Sequence, residues 1–560
     1  MSKSGETTSP DFLFESSWEV CNKIGGIYTV LSSKARTLHR QYGDRVIFIG
    51  PDSGHSGPDF IADPSLFPEW TAHVKAQETL LRLRTGRWNI SGRPPVILVD
   101  FKPFFSRRNE LFFEIWEAFG VDSSAGYGDY DESCLFACAA AMAVQSFYRF
   151  HRLEDRRVVA HFDEWTLGMG LLYLRKHLPA VATVFTTHAT TVGRSIAGNG
   201  KPLYGYMEGY YGDQMARELH VEAKHALEKQ AAHRADCFTT VSDITAVECA
   251  RLLDRAPDTV TPNGFDPDVV PSGDAYDARR GRARQTLLRV AEKLLGAPVD
   301  PEAFLIATGG RYEYRNKGID VFIEAMNRLR LSGELPRDTL AFILVPAWVY
   351  APRADLKAAL EQDYPQTVPM QTPFLTHWLR RMTDDPVMKF IFHAGFSNRP
   401  SDRLKIIFVP CYMDGNDGIF NLPYYDLLVG MDATVFPSYY EPWGYTPQES
   451  IAFGVPTVTT GLAGFGAWAK GVVAGETMDD GVAVVRRTDD NYFEVAEAVA
   501  GALLALSRKG DAERKVIRKA CFDLASKTEW KHFITRYDTA YEQALAKAAE
   551  RNKNNSVVSS

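Results

Sequence analysis

Ala433-Thr434-Val435-Phe436-Pro437-Ser438-Tyr439-Tyr440-Glu441-Pro442-Trp443-Gly444-Tyr445-Thr446-Pro447-Gln448-Glu449 is the stretch that decides the fold. Its first five residues form an apolar run short enough for a buried strand, Pro442 and Gly444 turn the chain, and Pro447 to Phe453 is helix-competent. Strand, loop and helix in that order are the repeating unit of a parallel α/β sheet, whose ligands gather where the strands end. Two carboxylates mark this loop. Glu441 sits at the rim of the sheet and Glu449 lies inside the helix, so two separate groups of polar hydroxyls can be gripped. Gly444 lets backbone approach a ligand closely, while Tyr445 and Thr446 offer N–H groups at a helix N-terminus, which favours an anion.

The same alternation extends in both directions. Phe12-Leu13-Phe14 reads as a first strand, Asn22-Lys23-Ile24-Gly25-Gly26 as a tight loop, Ile27 to Leu38 as an amphipathic helix and Val46 to Ile49 as a second strand. Further strand-like runs lie at 96–99, 158–160, 182–185 and 237–241. Pro262-Asn263-Gly264 is a turn signal, followed by a polar stretch at 271–284. A second α/β series follows with runs at 304–308, 340–345, 405–409, 433–436 and 455–459. This predicts two large domains, 1–264 and 265–526, then a closing helix at 527–548 and a disordered tail at 549–560.

Composition excludes several classes of function. The 560 residues are 45% hydrophobic and 24% charged, with a formal net charge of −7, which argues against nucleic acid or an anionic membrane as the main ligand. The first eleven residues lack the apolar core of a signal peptide, and no run approaches the roughly 18 apolar residues of a membrane span. A cytoplasmic protein is expected. Seven cysteines with no C-x-x-C pair fit reduced thiols, with Cys134 and Cys138 packing one helical turn apart.

Gly309-Gly310-Arg311-Tyr312-Glu313-Tyr314-Arg315-Asn316-Lys317-Gly318 joins a strand to a helix. Such a loop places the Arg311 guanidinium and the Lys317 ammonium to neutralise a diphosphate leaving group together, although a lone basic loop is ordinarily just solvated. Lys23, Gly25 and Gly26 offer a second, weaker anion cradle. His188, after a buried strand and six residues before Arg194, is a candidate for a polar cleft. His161-Phe162-Asp163-Glu164-Trp165 lacks further ligands in sequence, and the Asp129/Asp131 and Asp266/Asp268 triplets fall in turn-like segments, so no metal is assigned. Tyr412 and Tyr424 precede the Glu441 loop and can sandwich a planar base, with core packing the ordinary alternative.

Taken together, residues 19–28, Phe185 to Thr190, Phe238 to Ala246, Gly310 to Gly318 and 439–449 resemble the glycogen (starch) synthases of the eukaryotic type, in order from about residue 12 to 545. The resemblance implies a GT-B fold: two Rossmann-like domains facing a deep cleft, with the closing helix crossing back to the first. It implies retaining transfer of glucose from UDP-glucose to the non-reducing 4-OH of an α-1,4-glucan, with glycogen or a maltooligosaccharide as acceptor and no cofactor. Residue by residue, it makes Arg311 and Lys317 the diphosphate clamp and Glu441 the carboxylate on the donor glucose. Glu449 falls on the ribose, His188 beside the transferred glucose and Arg194 near the phosphates. Tyr412 and Tyr424 occupy base-stacking positions, and Trp443, Gly444, Tyr445 and Thr446 line the donor pocket.

Three departures stand out. Asp163 replaces an expected His; the segment between Pro346 and Asp402 is short beside an insert used in tetramer contacts, although a homo-oligomer is expected; and a long phosphorylated tail is missing. The arginine-rich helix that senses glucose 6-phosphate is thinned to Arg508, Lys509, Arg514, Lys515, Arg518 and Lys519, which reads as a solvated face. The competing readings are an ADP-glucose-dependent synthase, a glucan phosphorylase and a catalytically silent glycan-binding protein.

Overall fold

Apolar runs such as Val96–Val99 carry no polar alternation because parallel strands are covered on both faces, and the computed structural model uses them in that way. It describes residues 9–54, 57–77 and 79–558, which divide into two units. The first is drawn from Met1–Ile196, Tyr206–Asp266 and Glu529–Ser560, and the second from Ala197–Gly205 and Pro267–Thr528.

The first unit holds β1 (Phe12–Ser16), β2 (Val46–Pro51), β3 (Phe60–Ala62), β4 (Arg82–Trp88), β5 (Pro95–Asp100), β6 (Val158–Asp163), β7 (Ala182–Thr187), β8 (Cys237–Thr240) and β9 (Thr259–Val260). Their order is β3-β4-β5-β2-β1-β6-β7-β8-β9, parallel except where β3 and β4 add an antiparallel edge. That edge escapes a hydrophobic-run reading because β4 is Arg-Leu-Arg-Thr-Gly-Arg-Trp, with its arginines at the half-exposed margin. Helix Tyr130–Phe150 packs its alanines and both early cysteines, Cys134 and Cys138, into the core.

Helix Trp530–Val558 closes this unit against β7 and β8. It runs beyond the expected stop at 548 because no Gly or Pro interrupts it, so the tail expected at 549–560 is helical to Val558 and only 559–560 lie outside the described residues. A side chain on Gly264 would meet the Trp530 indole at 2.5 Å, which is the physical reason for the glycine of the Pro-Asn-Gly turn. Tyr541 donates to Glu15 at 2.6 Å, and the same buried carboxylate takes Lys34 at 2.9 Å and faces His161 Nδ1 at 3.1 Å.

The second unit holds β10 (Phe304–Gly309), β11 (Thr339–Leu344), β12 (Val349–Pro352), β13 (His377–Leu379), β14 (Leu404–Val409), β15 (Ala433–Val435), β16 (Thr457–Thr460) and β17 (Val482–Val485). Six of them form a parallel sheet in the order β14-β11-β10-β15-β16-β17, and β12 pairs with β13 in a separate hairpin. The hairpin and β17 lie outside the expected runs. In the six-stranded sheet, connections progress one way from β10 and the other way from β15, so the topological switch falls between these two strands.

Segment 197–205 counts with the second unit although it was expected in the first domain. The reason is local: Asp489 accepts Tyr204 N at 3.2 Å and Gly205 N at 2.6 Å, and Leu203 N donates to the Tyr439 hydroxyl at 2.8 Å.

Candidate active site

The switch point brings two loops together. β10 and β15 are hydrogen-bonded neighbours, so the loops leaving their C-terminal ends, 310–318 and 436–444, rise side by side. The Asn316 carbonyl accepts Tyr439 N at 2.8 Å and Tyr440 N at 3.1 Å, zipping one loop to the other. Gly318 completes the closure at φ +66°, where a side chain would strike the Pro437 carbonyl at 2.1 Å. The product is an ion pair. Lys317 Nζ lies 2.5 Å from Glu441 Oε2, with both side chains largely buried. Asn316, unmarked by any motif of charge, is the residue that builds it.

Arg311 is placed differently from its expected partner. Its side chain is half exposed and pairs with Glu313 at 2.8 Å. Gly444, at φ +106°, starts helix Tyr445–Ala452, with Tyr445 and Thr446 half-buried in its first turn. Trp443 is buried, donates from Nε1 to Gln448 at 2.8 Å and packs edge-on against Phe465. An apolar ring followed by Gly444 gains more by bracing the turn than by facing solvent.

Glu449 is buried on that helix and accepts the Tyr425 hydroxyl at 2.7 Å. Tyr425 stacks on Phe453, with ring centroids 4.9 Å apart, and is a further candidate, adjacent to Tyr424, that no sequence motif singled out. Tyr424 N donates to the Met413 carbonyl at 2.9 Å and Asp414 bridges Pro423, so the segments carrying Tyr412 and Tyr424 run side by side. Tyr412 is 74% exposed and Tyr424 half-buried over the end of β10.

The first unit carries the remaining candidates. His188 follows β7, is largely buried, and its Nε2 faces Asp163 Oδ1 at 3.1 Å, while its backbone N–H donates to Glu164 at 3.0 Å. Burial lowers the His188 pKa, but the hydrogen bond and charge of Asp163, with Glu164 behind, outweigh it and hold the imidazole above its ordinary value. Asp163, a departure from the family pattern, is therefore the partner of His188. Glu164 adopts φ +71°, a conformation costly for a residue with a side chain. Arg194 sits half-buried in helix Thr191–Gly198.

The Lys23 loop differs from expectation. The Glu19 carboxylate accepts Gly25 N at 2.7 Å and Tyr28 N at 2.9 Å, so the protein's own anion takes the Gly25 N–H that was expected to face a diphosphate. Lys23 and Gly26 are exposed, and the Lys23 ammonium lies 5.7 Å from the Tyr28 ring centre. The Asp-x-Asp triplets are ion-paired: Asp129 with Lys224 at 2.7 Å, Asp131 with Arg108 at 2.5 Å and Asp266 with Arg36 at 3.6 Å.

Below the His188 loop lie buried carboxylates that no pattern announced. Glu228, on the predominantly polar helix Glu222–Arg234, accepts Thr187 Oγ1 at 2.8 Å and Thr191 N at 2.9 Å, and Glu248 receives Thr190. Desolvation, then the charge of Glu164, pushes Glu228 up to about 8 against these hydrogen bonds. A carboxyl raised in the folded state contributes stability that is complete below its ordinary value of 4.5 and lost as the pH climbs through about 8. Glu228→Gln, neutral throughout, is expected to flatten the fall of melting temperature with pH across that window. An unchanged slope in thermal melts would refute the assignment.

The glycogen synthase family model matches residues 15–357 and 353–559. Glycogen [starch] synthase of Neurospora crassa is 30% identical, covering 96% of this chain and 84% of that protein. The liver glycogen [starch] synthase of Homo sapiens is 27% identical, covering 96% and 84%. Among solved structures, the catalytic domain of starch synthase IV from Arabidopsis thaliana, bound to ADP and acarbose, superposes with a TM-score of 0.56 at 12% identity, covering 96% of this chain and 99% of that one. That likeness bears on the fold, and it agrees with two Rossmann-like sheets of GT-B type. Carried by sequence across nearly the whole chain, the family assignment needs no analogy: this chain belongs to the glycogen synthase family and is a glycosyltransferase.

Proposed function

We propose that this enzyme transfers glucose from UDP-glucose, with retention, to the non-reducing 4-OH of an α-1,4-glucan in the cytoplasm, working as a homo-oligomer. The observation that carries the reading is the Lys317–Glu441 pair at the switch point between β10 and β15, where α/β sheets bind ligands. In this reading Glu441 holds the donor glucose, Lys317 and Arg311 take the diphosphate, and the first-turn N–H groups after Gly444 add to it. Glu449, fixed by Tyr425, takes the ribose. Tyr412 and Tyr424 flank the base, and His188 and Arg194 act on the glucose and the phosphates. Charge developing on the leaving diphosphate is met by groups already in place. Among the described residues no helix is long and apolar enough to cross a membrane.

Parallel assays with UDP-glucose and ADP-glucose on a maltooligosaccharide primer test the reading. UDP-glucose is expected to give the higher kcat/KM; a higher value with ADP-glucose would overturn the donor assignment, since stacking alone tolerates either base.

Activation by glucose 6-phosphate is expected to be weak. The basic residues of 508–519 are less solvated than their mixed charge suggests, because two of them turn inward. Arg514 lies 3.8 Å from buried Asp432 and Arg518 lies over the Tyr276 ring. Arg508 pairs with Glu334, and Lys509 lies 3.3 Å from both Asp479 and Glu513. A phosphate activates only by its differential affinity for two states, and these cations already have internal partners. A tenfold rate increase at subsaturating donor would contradict this.

A further inference from the structure

His377, Cys411 and Asp417 converge in the second unit, each presenting a ligand atom, and the three atoms lie within 4.8 Å of one another. None has a part in the transfer proposed above. His377 opens β13, and Cys411 and Asp417 sit in the loop that leaves β14, so sequence separations of 34 and 6 residues hid the cluster. The Met413 sulfur lies 3.8 Å from Cys411 Sγ and adds a second soft donor at the edge.

We infer that this cluster binds one thiophilic divalent ion of the zinc class through the Cys411 thiolate, the His377 imidazole and the Asp417 carboxylate, with water in the fourth position. Thiol and imidazole donors select against magnesium and calcium, which take oxygen ligands. The surroundings hold the ligands as metal sites require. Asp417 Oδ1 accepts Ile419 N at 3.0 Å and Phe420 N at 2.8 Å, and Oδ2 accepts Asn421 N at 2.8 Å, which fixes the carboxylate and leaves lone pairs on it. The His377 ring nitrogens face Thr376 Oγ1 at 2.8 Å and the Asp417 carbonyl at 2.9 Å. Ligation replaces one of these contacts while the other sets the tautomer.

A buried His with two hydrogen-bond partners and a carboxylate capping its own loop are each ordinary packing; their convergence with the Cys411 thiol within 4.8 Å is the feature that packing does not explain. Tetrahedral zinc places its ligand atoms about 3.3–3.6 Å apart, so closure needs side-chain movement of about 1 Å. On binding, the Cys411 S–H bond breaks, a sulfur–metal bond forms and the proton leaves to solvent. Cys411 is partly exposed, which gives the ion a way in.

Cobalt(II) titration of the full chain, previously stripped with a chelator, is the test. One equivalent is expected to produce thiolate-to-cobalt charge transfer and intense tetrahedral visible bands, both displaced by zinc. Cys411→Ser should lose the charge-transfer band, His377→Gln should weaken binding at least ~10-fold, and Cys21→Ser should change nothing. Protection of wild-type Cys411 from alkylation by zinc, read by peptide mass spectrometry, needs no variant and covers a failure of Cys411→Ser to fold. Absence of the band or of protection in the wild type, or persistence of the band in folded Cys411→Ser, would overturn the site. Because Tyr412 follows Cys411, bound metal should also change the donor KM. That consequence rests on the proposed function, so an unchanged KM with an intact cobalt band would count against the role of Tyr412 and leave the metal site standing.

Discussion

Glu441→Gln is expected to lower turnover by about 10²–10³-fold while the protein stays folded, and Lys317→Ala to do the same. The pair sits where two neighbouring loops end, and each member bears a charge that a reacting nucleotide sugar can use: the carboxylate toward the glucose, the ammonium toward the diphosphate. Each variant removes one partner of a largely buried pair, so some loss of stability is expected beside the loss of turnover. The measurement is kcat at saturating UDP-glucose beside a thermal melt of each variant. Near-normal turnover in either folded protein would remove the Lys317–Glu441 pair from the chemistry.

Lys34→Met is expected to destabilise the first unit by about 3–5 kcal/mol, because it leaves Glu15 buried without its main countercharge. Glu15 is fully buried, and burial alone would raise its pKa; Lys34 first, then His161 and the Tyr541 hydroxyl, hold it well below the carboxylate range. Its stabilising effect is therefore present above the ordinary carboxylate value of 4.5 and is lost as acid protonates it. The network ties helix Trp530–Val558 to β1 and β6, so its loss should loosen the closing helix as well. Adding Glu15→Gln to Lys34→Met should restore most of the loss by removing the stranded charge. Urea midpoints of the two single variants and the double variant decide the matter, and a double variant less stable than Lys34→Met would reject the mechanism.

Apolar runs and turn residues were enough to read two α/β units from the chain alone, because burial on both faces of a parallel sheet leaves a continuous hydrophobic signature. Val46–Ile49, Phe304–Thr308 and Leu340–Leu344 are found as strands for that reason. The arginine-rich β4 and the β12–β13 hairpin carry no such signature, since they lie at margins where one side meets solvent. The candidate site was legible where charge sits next to a glycine-containing loop, as at the ion-paired Lys317 and Glu441. It was illegible where the acting group is a backbone carbonyl, as at Asn316, or where a polar helix is turned inward, as at Glu228.

The sequence by itself determined the parallel core strands of both sheets, the family and the identity of most charged candidates, because these depend on local pattern and on the order of motifs. Tertiary structure alone decided which charges face each other: Lys317 with Glu441, His188 with Asp163, Glu19 with the N–H groups of its own loop, and Trp443 inward against Phe465. The reason is physical. A side chain's partner is fixed by which strands lie adjacent and which loops hydrogen-bond across them, and residues 124 positions apart, such as Lys317 and Glu441, acquire a common chemistry only when β10 and β15 pair.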